Sequence, residues 1–194
     1  MNFLAHIYLS QDNDFIKIGN FMADTIRGSK YEYLPLEVQK GIILHRAIDT
    51  FTDAHPIFRK STKRLHENYH HYSGVIIDVF YDHFLAKNWV IYSDQPLAEY
   101  TSHFYEIMQA NYAILTPKTQ QLLPYMIAQN WLVSYATIEG IEIILSQMER
   151  RIKNDSKLSL SVNELKLYYH EFEEEFTSFF AALRNYSDQK LISL

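Results

Sequence analysis

Cysteine is missing from all 194 residues, and that one absence removes disulfide frameworks, thiolate zinc sites and thiol catalysis together. Any metal bound by this chain is held by nitrogen and oxygen. Glycine and proline are scarce as well, five of each, which points to long helices joined by short turns rather than to many short strands. Basic charge is not in excess. The formal net charge is −5, and affinity for a phosphate backbone needs a local surplus of Lys and Arg, so nothing calls for a nucleic-acid partner. No stretch approaches the roughly 18 uninterrupted apolar residues of a membrane span. The opening MNFLAHIYLS is apolar but lacks a basic flank, contains His6 and runs straight into QDND, a poor signal peptide. The cytoplasm is therefore the default location, with no membrane partner.

What is present is ample material for a core. Hydrophobic residues make up 47% and charged residues 21%, the balance of a globular chain, and the length suits one domain over residues 1 to 194. Apolar residues recur with helical periodicity from end to end, so the expected fold is all-α, a single-domain helical bundle. A short first helix covers about residues 2 to 9. Asp12 or Asn13 caps a second, FIKIGNFMADTIRG, which Gly28 stops. Pro35 opens a third through about Phe51, Pro56 a fourth, Ser73 caps a fifth, and Pro96 and Pro117 start two more. Trp131 to Ile152 reads as a helix interrupted near Thr137 and Gly140, and KNDSKLSLS as a loop. Ser161 with Glu164 forms a capping-box pattern that opens the long last helix, ending near Tyr186.

Polar residues recur four apart on these apolar segments, the spacing that superposes side chains on one helix face. His45 and Asp49 form one such pair, Asn2 and His6 a second, Asn20 and Asp24 a third, Asp78 and Asp82 a fourth. A single pair is usually a surface contact worth a few tenths of a kcal/mol. Asp78 and Asp82 are harder to dismiss, because VIIDVFYDHFLAKNW is apolar on nearly every face. Two buried carboxylates share a proton or need a cation between them. The alternative is that one caps a helix or pairs with Arg27 or Arg46. Four pairs on four apolar helices are expected to converge on one interior site, and histidine with carboxylate suits Mn, Mg, Fe or Zn. A divalent ion there would activate water and polarise a phosphoryl oxygen. Arg27 and Arg46 then either stabilise phosphate charge or partner the carboxylates structurally.

Other features have plainer readings. His66, His70 and His71 read as solvated or packing residues, Tyr168 to Phe180 as an aromatic core seam, and EFEEEF around Glu173 to Glu175 as a solvated face. The basic run FRKSTKR, with Arg59, Lys60, Lys63 and Arg64, offers an acidic protein somewhere to dock.

The segments NFLAHIYLS, GNFMADTIRG, GIILHRAIDTFTDAHP and IIDVFYDHFLAKNW, in that order, resemble the acyl carrier protein phosphodiesterase family, and a weaker echo continues through NWLVSYATIEGIEIILSQMERR. The resemblance covers nearly the whole chain. It implies an all-helical fold distantly related to the HD-domain phosphohydrolases, hydrolytic removal of 4′-phosphopantetheine from the serine of holo acyl carrier protein, and manganese as the favoured metal. His6, Asp24, His45, Asp49, Asp78, Asp82 and His83 fall on its motif positions and are the metal-ligand candidates it implies. Asp24, Arg27 and Arg46 are the catalytic candidates; Asp53 and His55 belong to the rim. Tyr8 stands where a second histidine is common in the family, and Asp82-His83 reverses the His-Asp order that names the HD superfamily. An HD-type phosphohydrolase acting on a nucleotide, and a helical protein that binds the carrier without catalysis, are the alternatives.

Overall fold

The computed structural model describes residues 1–152 and 156–194, and among these every regular element is helical. The chain order is α1 (Phe3–Tyr8), α2 (Asp14–Met22), α3 (Leu36–Ala54), α4 (Pro56–Tyr69), α5 (Ser73–Lys87), α6 (Leu97–Ala110), α7 (Pro117–Ala128), α8 (Trp131–Ser134), α9 (Ile138–Arg151), α10 (Val162–Leu167) and α11 (Tyr169–Ile192). The all-α expectation holds. The proline-marked starts hold too, since Pro35 and Pro96 sit just before α3 and α6 while Pro56 and Pro117 occupy the first turns of α4 and α7, positions where a missing N–H costs nothing. Thr137 caps α9 by accepting from the Gly140 amide at 3.0 Å.

The helix ends differ from the sequence reading. The second helix stops at Met22, not Gly28, and tightens into a 3₁₀ turn over Ala23–Thr25; the Thr25 hydroxyl donates to the Met22 carbonyl at 2.6 Å. The last helix is two, α10 and α11, and extends beyond Tyr186 to Ile192. Ser161 donates its hydroxyl back to the Leu158 carbonyl instead of capping forward. Of the segment read as a loop, Leu158–Ser161 forms a 3₁₀ turn, while Lys153, Asn154 and Asp155 lie outside the described residues.

Helix α5 is the buried axis of the molecule. Its Ile76, Ile77, Val79, Phe80, Tyr81, Phe84 and Leu85 are fully buried, with α1, α4, α9 and α11 packed around it. The aromatic seam forms as read: Phe172, Phe176, Phe179 and Phe180 on α11 are buried. Glu175 departs from the solvated-face reading. It is buried, takes two hydrogen bonds from Arg64 at 2.7 and 2.8 Å and one from Ser61, and pairs with Lys60 at 3.0 Å.

The feature that builds the functional region is the contact of α2 with α3. At their crossing two glycines face each other. A Cβ on Gly19 would lie 2.0 Å from the Val38 carbonyl oxygen, and one on Gly41 2.3 Å from that of Ile16. Only hydrogen fits between these backbones, so the residues following each glycine, Asn20 and Asp24 on one side, His45 and Asp49 on the other, are drawn within hydrogen-bond reach.

Candidate metal centre

Asn20, fully buried on α2, organises the site. Its amide nitrogen donates to the His6 carbonyl at 2.8 Å and to Ser10 Oγ at 2.9 Å, which fixes its orientation. Its oxygen Oδ1 therefore faces the two imidazoles, 2.8 Å from His6 Nδ1 and 3.2 Å from His45 Nδ1. The rings stack at 4.0 Å between centroids. With both Nδ1 atoms donating to one amide oxygen, both Nε2 atoms point the same way, toward carboxylates. His45 Nε2 lies 3.0 Å from Asp24 Oδ1 and 3.1 Å from Asp49 Oδ2, and His6 Nε2 lies 3.3 Å from Asp49 Oδ1.

The histidines titrate in opposite directions. Burial, reinforced by the neighbouring His45, pushes His6 down to about 4. Burial also opposes charge on His45, but hydrogen bonds to Asp24 and Asp49 outweigh it and raise that imidazole to about 9. The hydrogen bond from His45 holds Asp24 below the usual carboxylate range. Asp49 is buried enough to resist ionisation, yet its contacts with both histidines drive it well below that range.

His6, His45 and Asp49 each offer a ligand atom, all within 4.8 Å of one another. The buried His6 Nε2 has no hydrogen-bond partner despite its nearness to Asp49, and the Asn20 amide already fixes both ring orientations. A nitrogen lone pair left over among carboxylates is what a divalent cation would use, so the donor set fits the expected divalent cation.

The remaining candidates stand outside this cluster, although Asp78 borders one cavity together with Asp24. Asp82, fully buried on α5, accepts from the backbone amides of Leu4 at 2.7 Å and Ala5 at 3.3 Å, so it serves the first turn of α1; burial raises it to about 7. Asp78 lies 2.8 Å from the Met1 backbone nitrogen. His83 is on another side of α5, with Nδ1 donating to the Tyr135 carbonyl and Nε2 accepting from the Tyr169 hydroxyl, each at 2.7 Å. Arg46 donates to the carbonyls of Gly28 at 2.6 Å and Ile26 at 3.4 Å and lies over the Tyr31 ring, which braces the turn after Asp24. Arg27 is exposed on that turn. His55 caps α4 through the Ile57 amide, and Asp53 is exposed nearby.

Two cavities meet at the edge of the cluster. One, of about 240 Å³, is walled by Val75, Trp131, Tyr135, Ile144 and Met148; the other, of about 350 Å³, by Lys118, Thr119, Leu122 and Tyr125. Phe3, Asp24 and Arg151 border both. The Arg151 guanidinium lies 5.2 Å from the Trp131 ring centre. Sequence reasoning missed Arg151, because nothing local distinguishes it from Arg150 at the end of α9; only the fold brings it to the border of the same cavities as Asp24. Asn20 was visible as half of a pair, but its role depends on which atoms face it.

Comparison with known proteins decides the lineage. A family model described as acyl carrier protein phosphodiesterase matches residues 1–183. The chain belongs to the acyl carrier protein phosphodiesterase family. Relatives carrying that name include one from Photorhabdus laumondii, 30% identical over 98% of this chain and 96% of its own. One from Pectobacterium atrosepticum is 32% identical over 93% and 94%, and one from Yersinia enterocolitica 30% identical over 99% and 100%. No solved structure matches the chain. Among the described residues, no helix is long and apolar enough to cross a membrane. Across the family match, all the residues of the His6, Asn20, Asp24, His45 and Asp49 cluster lie inside the matched span.

Proposed function

We propose that this chain, acting as one domain over residues 1 to 194, hydrolyses the phosphodiester between 4′-phosphopantetheine and the serine of holo acyl carrier protein. The products are 4′-phosphopantetheine and the apo carrier. Water supplies the hydroxyl that ends on phosphorus and the proton that ends on the serine oxygen. The observation that carries the reading is the Asn20-ordered histidine pair facing Asp24 and Asp49, in a member of this family.

His6, His45 and Asp49 would hold a divalent cation, with Asp24 beside them. Manganese is the metal that the family resemblance implies, and nitrogen and carboxylate donors without sulfur also suit Mg, Fe and Zn. When bound, the cation supplies Lewis acidity toward a phosphoryl oxygen and toward water. Asn20 keeps both imidazoles in the tautomer that presents Nε2. Asp24, 66% exposed and held ionised by His45, accepts a hydrogen bond from the attacking water and orients it. Arg46 holds the turn that carries Asp24, and Arg151 offers the phosphate a bidentate cation. Asp78 and Asp82 seat the segment that carries His6. We place the activity in the cytoplasm and in lipid metabolism, with its carrier substrate.

The test is incubation of purified protein with holo carrier and Mn²⁺, followed by mass spectrometry of the carrier. Loss of the prosthetic group is expected, and an Asp24→Ala sample is expected to be folded and inactive. An unchanged carrier at saturating metal would defeat the assignment.

A further inference from the structure

A phosphodiester has two substituents, and a site that cleaves it needs two ways out from the phosphorus. The structure has two cavities that share Asp24, Phe3 and Arg151 as a common border, and they differ in size and in the residues that line them. The smaller, at about 240 Å³, falls below the roughly 300 Å³ at the low end of ordinary small-molecule sites, which suits a slender chain better than a ring system. Its walls carry the apolar side chains of Val75, Trp131, Ile144 and Met148 together with Asn2, Asp78 and the Gln147 amide. The larger shares that apolar character through Phe21 and Leu122 but is bordered in addition by Lys118 and by the exposed Tyr125, a cation and an aromatic of the kind a protein surface meets.

We infer that the cavity between α5, α8 and α9 takes the pantetheine arm, with Arg151 on the phosphate, while the cavity along α7 faces the serine end and the carrier. The inference rests on the proposed reaction, because only a substrate with a long, narrow, amide-bearing chain on one side of phosphorus needs this division. Arg151 is the hinge of the assignment. It is the cation common to both cavities, and its guanidinium is packed over Trp131, so a phosphate drawn to it is placed between Asp24 and the wall of the smaller cavity. The apolar walls then meet the methyl and methylene groups of the arm, and Gln147 is available to one of its amides.

The experiment compares Met148→Trp, which fills the smaller cavity, with Leu122→Trp, which fills the larger. Both side chains are only partly buried, and circular dichroism checks folding. Calorimetric titration of the metal-loaded protein with 4′-phosphopantetheine, with inorganic phosphate as the reference probe, reads the arm site without turnover. Wild-type protein is expected to bind 4′-phosphopantetheine at least tenfold more tightly than phosphate. Met148→Trp is expected to erase that difference, and Leu122→Trp to keep it while raising KM for holo carrier. The ratio of kcat/KM on holo carrier to that on bis(4-nitrophenyl) phosphate is expected to fall at least tenfold in both. Equal affinity of wild type for the two probes, an unaltered difference in Met148→Trp, or its loss in Leu122→Trp alone would each overturn the assignment. Wild-type protein that cleaves the small diester but not holo carrier would instead overturn the substrate reading on which the inference stands.

Discussion

At the scale of single residues, the site is governed by one amide. Asn20 receives two imidazole N–H groups on a single oxygen, so removing it frees both rings to rotate or change tautomer. Asn20→Ala is expected to weaken metal binding by about 10- to 100-fold, read by competition with a chromogenic chelator. The metal-free protein should also show the opposed titrations of the two rings. His45 is held at about 9 against roughly 6.5 in an unfolded chain. The folded state therefore binds the extra proton between those values, and its contribution is whole below pH 6.5 and lost as pH rises through 9. His6, held at about 4, acts in reverse, its contribution being lost as pH falls from 6.5 through 4. The urea midpoint of chelator-treated protein should fall from pH 6.5 to 9, and His45→Gln should flatten that slope, leaving the part due to the Met1 amine, which Asp78 holds above its ordinary value against burial. The pairing of His45 with Asp49 was legible in the sequence because helix spacing alone brings them together. The Asp78 and Asp82 pair has the same spacing and burial, yet serves the N-terminal segment. Spacing tells which side chains share a face, not which backbone groups another helix lays against it.

At the scale of helices, starts were readable and ends were not. Pro56, Pro117 and Thr137 announce helices through local chemistry that needs no partner. Met22 ends α2 six residues before the expected Gly28, at the place where Asp24 meets His45 from another helix, and no local signal encodes that. The glycines of GNF and KGI were visible, but their use as a paired crossing was not, since it depends on α2 and α3 lying face to face. Gly41→Ala would push a methyl group against the Ile16 carbonyl. It is expected to cost about 3 kcal/mol, at the upper end for an overpacked contact, and to separate Asn20 from His45. A lowered melting temperature together with lost metal binding would show both effects; a drop in melting temperature with unchanged metal affinity would show that the crossing does not set the site.

At the scale of the whole molecule, the long-range pairings alter the reading of charge. Of the basic run on α4, Lys60 and Arg64 are committed to Glu175 on α11, which leaves Arg59 and Lys63 as its exposed cations less engaged with carboxylates. Reversing Arg59 and Lys63 is expected to raise KM for holo carrier about fivefold per charge, the scale of an exposed ion pair, and to spare a small diester. An equal loss on both substrates would remove the docking role. Arg64→Ala belongs to a different class, because it strips a buried carboxylate of its bidentate partner and should destabilise the fold itself. The position of the candidate site also has a consequence for biosynthesis. His6, Asn20, Asp24, His45 and Asp49 all precede Ala54, whereas α11, whose Phe179 and Tyr186 pack on Phe51 of α3, ends at Ile192. At ordinary translation rates the complete cluster leaves the ribosome on the order of ten seconds before the helix that buttresses it. The ion pool around the nascent chain is the first that these side chains meet.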